Sequence, residues 1–173
     1  LVVYGEDITA RLQAEQALKE HQLHLEEQVK DRTEQIMQQQ HRLEGIIDAL
    51  PVALCIKDRE GRYQLGNRVF TQEHHQTKDS LIGKTVEELW PAEMAANIRR
   101  QDQSLLHGAP LLRYEFSGPG PGGRAMDLLV TKAALLDATG QPESVLTMGG
   151  DIGDIKTPQR DRAAGKTEAE RRT

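Results

Sequence analysis

From Asp7 to Leu50 the chain is polar but returns to an apolar residue at helical spacing, without proline and without glycine before Gly45. Set in sevens, Ile8, Glu15, Gln22, Val29, Ile36, Leu43 and Leu50 fall in one column. Arg11, Leu18, Leu25, Arg32, Gln39 and Ile46 fall in the column three residues on. Apolar residues in two such columns, with charge elsewhere, predict a helix that pairs along a seam. Glu15, Gln22, Arg32 and Gln39 interrupt that seam, and polar seam residues lower stability while fixing register and helix number. A helix of this span is about 60 Å long. One small domain cannot cover it, so the pattern predicts a homodimer through the N-terminal helix. The alternatives are a single solvated helix and a helix folded back on the domain. Asp7 or Thr9 is expected to cap it, because either side chain can accept a bond from a free backbone N–H. Pro51 is expected to end it by disfavouring α geometry at Leu50. Ahead of the cap, Leu1–Tyr4 is a short β-like run, so residues 1–6 read as the end of a preceding domain.

Beyond Pro51 the pattern changes to short strands and short helices. Val52–Ile56 reads as a buried strand, residues 58–61 as a turn in which Gly61 supplies a positive φ, and Arg62–Asn67 as the returning strand of a hairpin. Residues 68–90 carry short helical signals, with Thr85 and Glu88 spaced as a capping box. Pro91 opens a longer helix through about His107, which Gly108-Ala109-Pro110 stops. Leu111–Phe116 alternates, with Leu112, Tyr114 and Phe116 on one face and Arg113 and Glu115 on the other. Residues 117–123 form a Pro/Gly hairpin loop, Met126–Leu136 a long strand and Ser144–Met148 the last strand, with Gly149–Ile152 leading out of it. Strands at both ends with helices grouped between them predict an α+β fold: a five-stranded antiparallel sheet with helices on one face, preceded by a long α-helix. The expected division is residues 1–6, a helix over 7–50, a domain over 51–155 and a disordered or linker tail over 156–173, where large apolar residues are almost absent.

Composition narrows the function. A net charge of −5 argues against nucleic acid as a partner. No run of about 18 apolar residues is present to span a bilayer, and Leu1–Tyr4 is too short for a signal-peptide core. The first residue is Leu, which suggests a piece of a longer protein. One cysteine, Cys55, excludes an internal disulfide or a cysteine-rich zinc site, in keeping with a cytoplasmic setting.

In their order and spacing, several segments resemble the PAS sensor (PAS/PAC) family of bacterial signalling proteins over roughly Arg42 to Ile155. They are Ile47–Pro51, Lys57–Tyr63, Gly66-Asn67-Arg68-Val69-Phe70, Leu81–Thr85 and Val130-Thr131-Lys132. Asp7-Ile8-Thr9 is similar to the closing motif of the family, and Asp151-Ile152-Gly153 to the same exit with Gly where Thr is usual. Leu25–Thr33 is similar to the signalling helices that join such domains to one another or to kinase modules. The resemblance implies a PAS fold and a sensory or relay module of a multidomain two-component protein, of the histidine kinase or diguanylate cyclase type. Its partners would then be its own copy and the adjacent sensor or output domains. The alternative is a structural dimerisation scaffold with no ligand.

Catalytic chemistry finds no support in the residues. Residues 149–153 half-match the GGDEF signature of diguanylate cyclases but lack its acidic and aromatic continuation. No histidine sits in a phosphoacceptor pattern, and the glycines of 118–123 lack the Lys and Ser/Thr of a phosphate loop. The fragment is therefore expected to be non-enzymatic, with no metal site. Haem-binding members of the family use a histidine on the longer helix. His107 lies at the end of that helix and His74-His75 on an earlier one, where surface positions are the simpler reading. Flavin members carry their cysteine on the short helices, whereas Cys55 is on the first strand, where it reads as a small buried apolar residue. Haem and flavin are not expected; a small-molecule ligand in the concave face of the sheet is one reading, and an empty, purely structural domain is the other. The ligand's polar candidates are Asn67, Arg113 and Thr131, against the plainer roles of a helix cap for Asn67 and a solvated side chain for Arg113.

Overall fold

Five strands account for the sheet: β1 (Ala53–Asp58), β2 (Tyr63–Gly66), β3 (Leu112–Pro119), β4 (Ala125–Leu136) and β5 (Pro142–Asp151). All neighbours are antiparallel, in the order β2-β1-β5-β4-β3. The coordinates are a computed structural model that describes residues 3–120 and 123–153. The last strand therefore lies at the centre, between the first and fourth, and the chain's two ends of the domain meet there. Four helices separate β2 from β3: α2 (Arg68–Glu73), α3 (Lys78–Leu81), α4 (Val86–Leu89) and α5 (Ala92–Leu106), numbered after the N-terminal helix α1 (Val3–Ala49). The chain divides into two units between Ile46 and Ile47.

The local reasons are those of the sequence. Gly61 N–H donates to the Asp58 carbonyl at 3.0 Å, and Gly61 takes a φ of +78°, which closes the β1–β2 hairpin. The Glu88 carboxylate accepts from the Thr85 backbone N–H at 2.7 Å and caps α4, as that spacing predicts. A second capping box, Thr77 with Ser80, starts α3. α5 begins after Pro91 and ends with His107 as its C-cap.

The core lies where β1 and β2 meet the helices. Ala53, Cys55, Tyr63, Phe70, Leu81, Val86 and Ala95 are buried together, with Trp90 and Ile98 against them. Gly66 belongs to this packing. A Cβ there would stand 2.3 Å from Leu81 Cδ2 and 3.0 Å from Phe70 Cδ1, so only glycine lets β2 pass beneath α2 and α3.

Three expectations are corrected. Val3 and Tyr4 are helical, so the β-like reading of Leu1–Tyr4 fails for them; Leu1 and Val2 lie outside the described residues. α1 runs through Asp7 and Thr9, so neither caps it: with no proline or glycine between Asp7 and the preceding Gly5, helix propagation continues upstream. Gly149 and Gly150 do not lead out of the sheet. They remain in β5 because the long β4 pairs with both, Val130 with Gly149 and Leu129 with Gly150, while Ala53 of β1 holds Gly149 from the other side. The expected tail over 156–173 lies outside the described residues; within the exit motif, Asp151 closes β5 and its Oδ1 accepts from Gly153 N–H at 2.8 Å.

α1 is the long helix that the spacing predicts, and the apolar residues of its two columns are exposed. Leu18, Val29, Ile36, Leu43 and Ile46 are all more than half exposed, and Leu25 is 45% exposed. Arg11 and Glu15, from the two seam columns, form an i, i+4 ion pair at 3.5 Å.

Candidate functional site

The helix-covered face of the sheet encloses a cavity of about 90 Å³. Alternation along the strands decides its floor. Ala53, Cys55 and Lys57 come from β1, Thr147 and Gly149 from β5, Met126, Leu128, Val130 and Lys132 from β4, and Tyr114 and Phe116 from β3. The roof is Phe70, Glu73 and His74 at α2, Trp90 after α4, and Met94 and Ile98 of α5. Gly149 contributes backbone only. Its missing side chain leaves the centre of the floor open between Ala53 and Val130, its partners on either side.

One edge of the cavity is charged. Lys57 and Lys132 are each 2% exposed, and Asp102 of α5 is 4% exposed. Asp102 Oδ1 accepts from Lys132 Nζ at 2.7 Å and its Oδ2 from Lys57 Nζ. Burial pulls the Lys132 ammonium below the usual lysine range, helped by the charge of Lys57 and opposed by Asp102. Lys57 Nζ also lies 5.8 Å from the centre of the Tyr63 ring. The Tyr63 phenol is pushed far up by burial and accepts from Trp90 Nε1 at 3.2 Å. Cys55 is 2% exposed, and burial raises its thiol to about 11, so it is a neutral thiol on the cavity floor and not a nucleophile.

The opposite wall is His74. Its ring stacks on Phe70 at 3.9 Å between centroids and meets Trp90 edge-on at 5.0 Å. Nδ1 lies 2.9 Å from the Phe70 carbonyl oxygen. Burial pushes its pKa below the ordinary 6.5. A carbonyl only accepts, so Nδ1 carries the proton and Nε2 is a bare lone pair. Nε2 is buried without a hydrogen-bond partner; the Thr147 hydroxyl has no nitrogen or oxygen partner and lies beside the Cys55 thiol. The reading of His74 as a surface residue is therefore corrected: its i, i+4 spacing from Phe70 turns it inward. His75 and His107 are exposed, and His107 Nδ1 is bonded to the Gln103 carbonyl at 2.6 Å.

The sequence-derived candidates stand elsewhere. Asn67 is 1% exposed and saturated: Oδ1 accepts from Leu54 N–H (2.9 Å) and Phe70 N–H (3.0 Å), while Nδ2 donates to Ile47 O (3.1 Å) and Val52 O (2.8 Å). It caps α2 and ties the last turn of α1 to β1, and it does not line the cavity. Arg113 and Thr131 are partners across β3–β4, and parity sets them on the face opposite Tyr114 and Lys132. Arg113 is exposed. The polar residues that do face the cavity are Lys57, Lys132, Thr147, His74 and Glu73. Among the described residues no group of three or more His, Cys, Asp or Glu is placed to hold a metal ion, and no described helix is long and apolar enough to cross a membrane.

Comparison with known proteins places this architecture. Residues 47–156 match the family model described as a PAS fold. The methanogenesis regulatory histidine kinase FilI of Methanothrix harundinacea (strain 6Ac) is 32% identical over 115 residues, which is 66% of this chain but only 13% of that protein. Among solved structures, the PAS domain of Bordetella pertussis BvgS superposes with a TM-score of 0.59 at 18% identity, covering 76% of this chain and 98% of that one. The Vibrio cholera VqmA–ligand–DNA complex gives 0.59 at 19% identity, over 73% and 57%. Since the family match takes in the whole sheet, the helices packed on it and all of the cavity, the chain belongs to the PAS-fold family.

Proposed function

We propose that the chain is a sensory relay module of a multidomain signalling protein, in which a small molecule in the cavity biases the pairing of two α1 helices in a homodimer. The observation that carries this reading is the cavity's unmet polar chemistry. A His74 Nε2 buried at the cavity without a hydrogen-bond partner, with a Thr147 hydroxyl that meets the Cys55 thiol, a weak partner, costs stability and returns nothing to the fold. That favours a sensor over an empty dimerisation scaffold. The likeness to FilI favours the histidine kinase type of parent over the cyclase type.

The relay follows hydrogen bonds. β1 carries Lys57, Cys55 and Ala53 on its cavity side, while Leu54 N–H of that strand and the Val52 carbonyl just ahead of it bind Asn67, whose amide also holds the Ile47 carbonyl of α1. A shift of β1 thus reaches the last turn of α1 through one side chain. Two seam packings that differ by a few kcal/mol would then exchange population. Arg32 and Gln39, polar in otherwise apolar columns, keep such packings close in energy.

Sedimentation equilibrium tests the dimer. The chain is expected to be dimeric at micromolar concentration, and replacing both Arg32 and Gln39 with Leu is expected to tighten it by about tenfold or more and to lock the parent's output. A monomer at that concentration would sink the relay.

A further inference from the structure

The charged edge of the cavity is not balanced. Two ammoniums, Lys57 and Lys132, share one carboxylate, Asp102, and all three are buried. The other ionisable groups facing the cavity supply no counter-charge there. Cys55 and Tyr63 are held as neutral thiol and phenol, and His74 is held neutral. The remaining acid, Glu73, has Asp151 and Arg124 as its charged neighbours, not the lysines. Both lysines line the cavity and Asp102 does not. The carboxylate therefore stands behind the ammoniums. Each ammonium has three N–H donors and bonds Asp102 with one, which leaves the others for the cavity side.

Next to them the Thr147 hydroxyl has no nitrogen or oxygen partner; beside it stand the Cys55 thiol on β1, a weak partner, and Lys132 on β4. An uncompensated buried charge with a hydroxyl beside it is a seat for an anion. The rest of the floor is apolar, and the bare Nε2 of His74, itself 8% exposed, faces the same space.

Resting on the sensory reading of this cavity, we propose that it takes a small monocarboxylate. The carboxylate sits on Lys57 and Lys132 with Thr147 Oγ1 donating to it. A short apolar body lies on Val130, Leu128 and Phe116, and His74 Nε2 accepts from a hydroxyl or N–H of the ligand. The 90 Å³ available is less than the ~150 Å³ that admits a benzene ring. A short unbranched acid of about three carbons, with any hydroxyl at the end away from the carboxylate, is the size this space favours, and a ring requires Met94 or Met126 to move.

Thermal unfolding and titration calorimetry of the whole 173-residue chain test it, with four probes of near-equal shape: propionate, 3-hydroxypropionate, propionamide and propylamine. The acids are expected to bind and raise the melting temperature, the hydroxy acid more than propionate, and the amide and amine to do neither. Lys132→Met should weaken the acids by about tenfold or more while the unliganded chain stays folded, because it leaves Lys57 and Asp102 as a matched pair. Thr147→Val should weaken them several-fold and serves if the lysine variant does not fold. His74→Phe should abolish the preference for the hydroxy acid only. Binding of the amide as tightly as the acid, or no binding of either acid, overturns the proposal. An amide that binds where the acids fail leaves a sensing cavity and removes its anionic ligand; a monomeric chain that binds the acids removes the relay and keeps the seat.

Discussion

Asn67 is the residue whose loss should be felt most. Its amide makes four hydrogen bonds, all between 2.8 and 3.1 Å, from a position 1% exposed. Replacement by Ala strands two N–H groups and two carbonyls. At about 0.5–1.5 kcal/mol net per bond the cost is roughly 2–6 kcal/mol, a large part of the ~5–15 kcal/mol that holds a domain folded. Asn67→Asp separates the roles. Asp is as good an N-cap as Asn and keeps the acceptor for Leu54 and Phe70, but it puts a carboxylate oxygen where Nδ2 donates to Ile47 O and Val52 O. If capping were the whole role, the Asp variant would match the parent. If the tie between α1 and β1 matters, the Asp variant should lose about 2 kcal/mol or more at neutral pH and regain part of it in acid, where a protonated carboxyl can donate once. Urea unfolding, with a slope of about 1–3 kcal/mol per molar, resolves the difference as a shift in midpoint of about 1 M. An Asp variant within ~0.5 kcal/mol of the parent refutes the reasoning.

Two further outcomes follow from the same core. His74 is held neutral in the folded chain with its pKa below 6.5, so below that pH the unfolded chain binds a proton that the folded one does not. Stability must then fall as pH drops, by up to about 1.4 kcal/mol per pH unit from this residue. His74→Phe should flatten the pH dependence of the denaturation midpoint between pH 6.5 and the acid limb, and an unchanged slope counts against the assignment. Gly66→Ala forces a methyl to within 2.3 Å of Leu81 Cδ2, an overpacking worth about 1–3 kcal/mol. Pairing it with Leu81→Ala should give less than the sum of the two losses in thermal melts, and strict additivity would show that the clash relaxes elsewhere.

The fold was largely legible because its determinants are local. Gly61, the Thr85/Glu88 box, Pro91 and the 108–110 break each act within one turn of chain, and each stands where its chemistry requires. Boundaries that depend on distant partners were not legible. Gly149 and Gly150 have the composition of an exit, yet they are strand because β4 pairs with both and β1 with Gly149 as well. The β-like run at Leu1–Tyr4 was misread for the converse reason: short apolar runs do not separate strand from helix, and an uninterrupted helix absorbs Val3 and Tyr4.

The cavity was legible in its position but not in its chemistry, and parity is the reason. Thr131 attracts attention as a polar residue on a strand, but its neighbours Val130 and Lys132 own the inward face. Lys132 shares its parity with Met126, Leu128 and Val130, and Lys57 with Ala53 and Cys55; a lysine on the apolar parity of a strand is a buried cation in need of an acid. Asp102 answers it from α5, where it shares a helical face with Ala95, Ile98 and Leu105 at spacings of three and four. Those three violations of pattern are visible in the sequence once strand and helix are assigned. What the sequence withholds is that the two lysines and the one aspartate meet, since that depends on β5 lying between β1 and β4 and bringing two distant strands under one helix. The excess of one cation over its acid exists only after that pairing, and it is that excess which gives this PAS cavity a preference for charge.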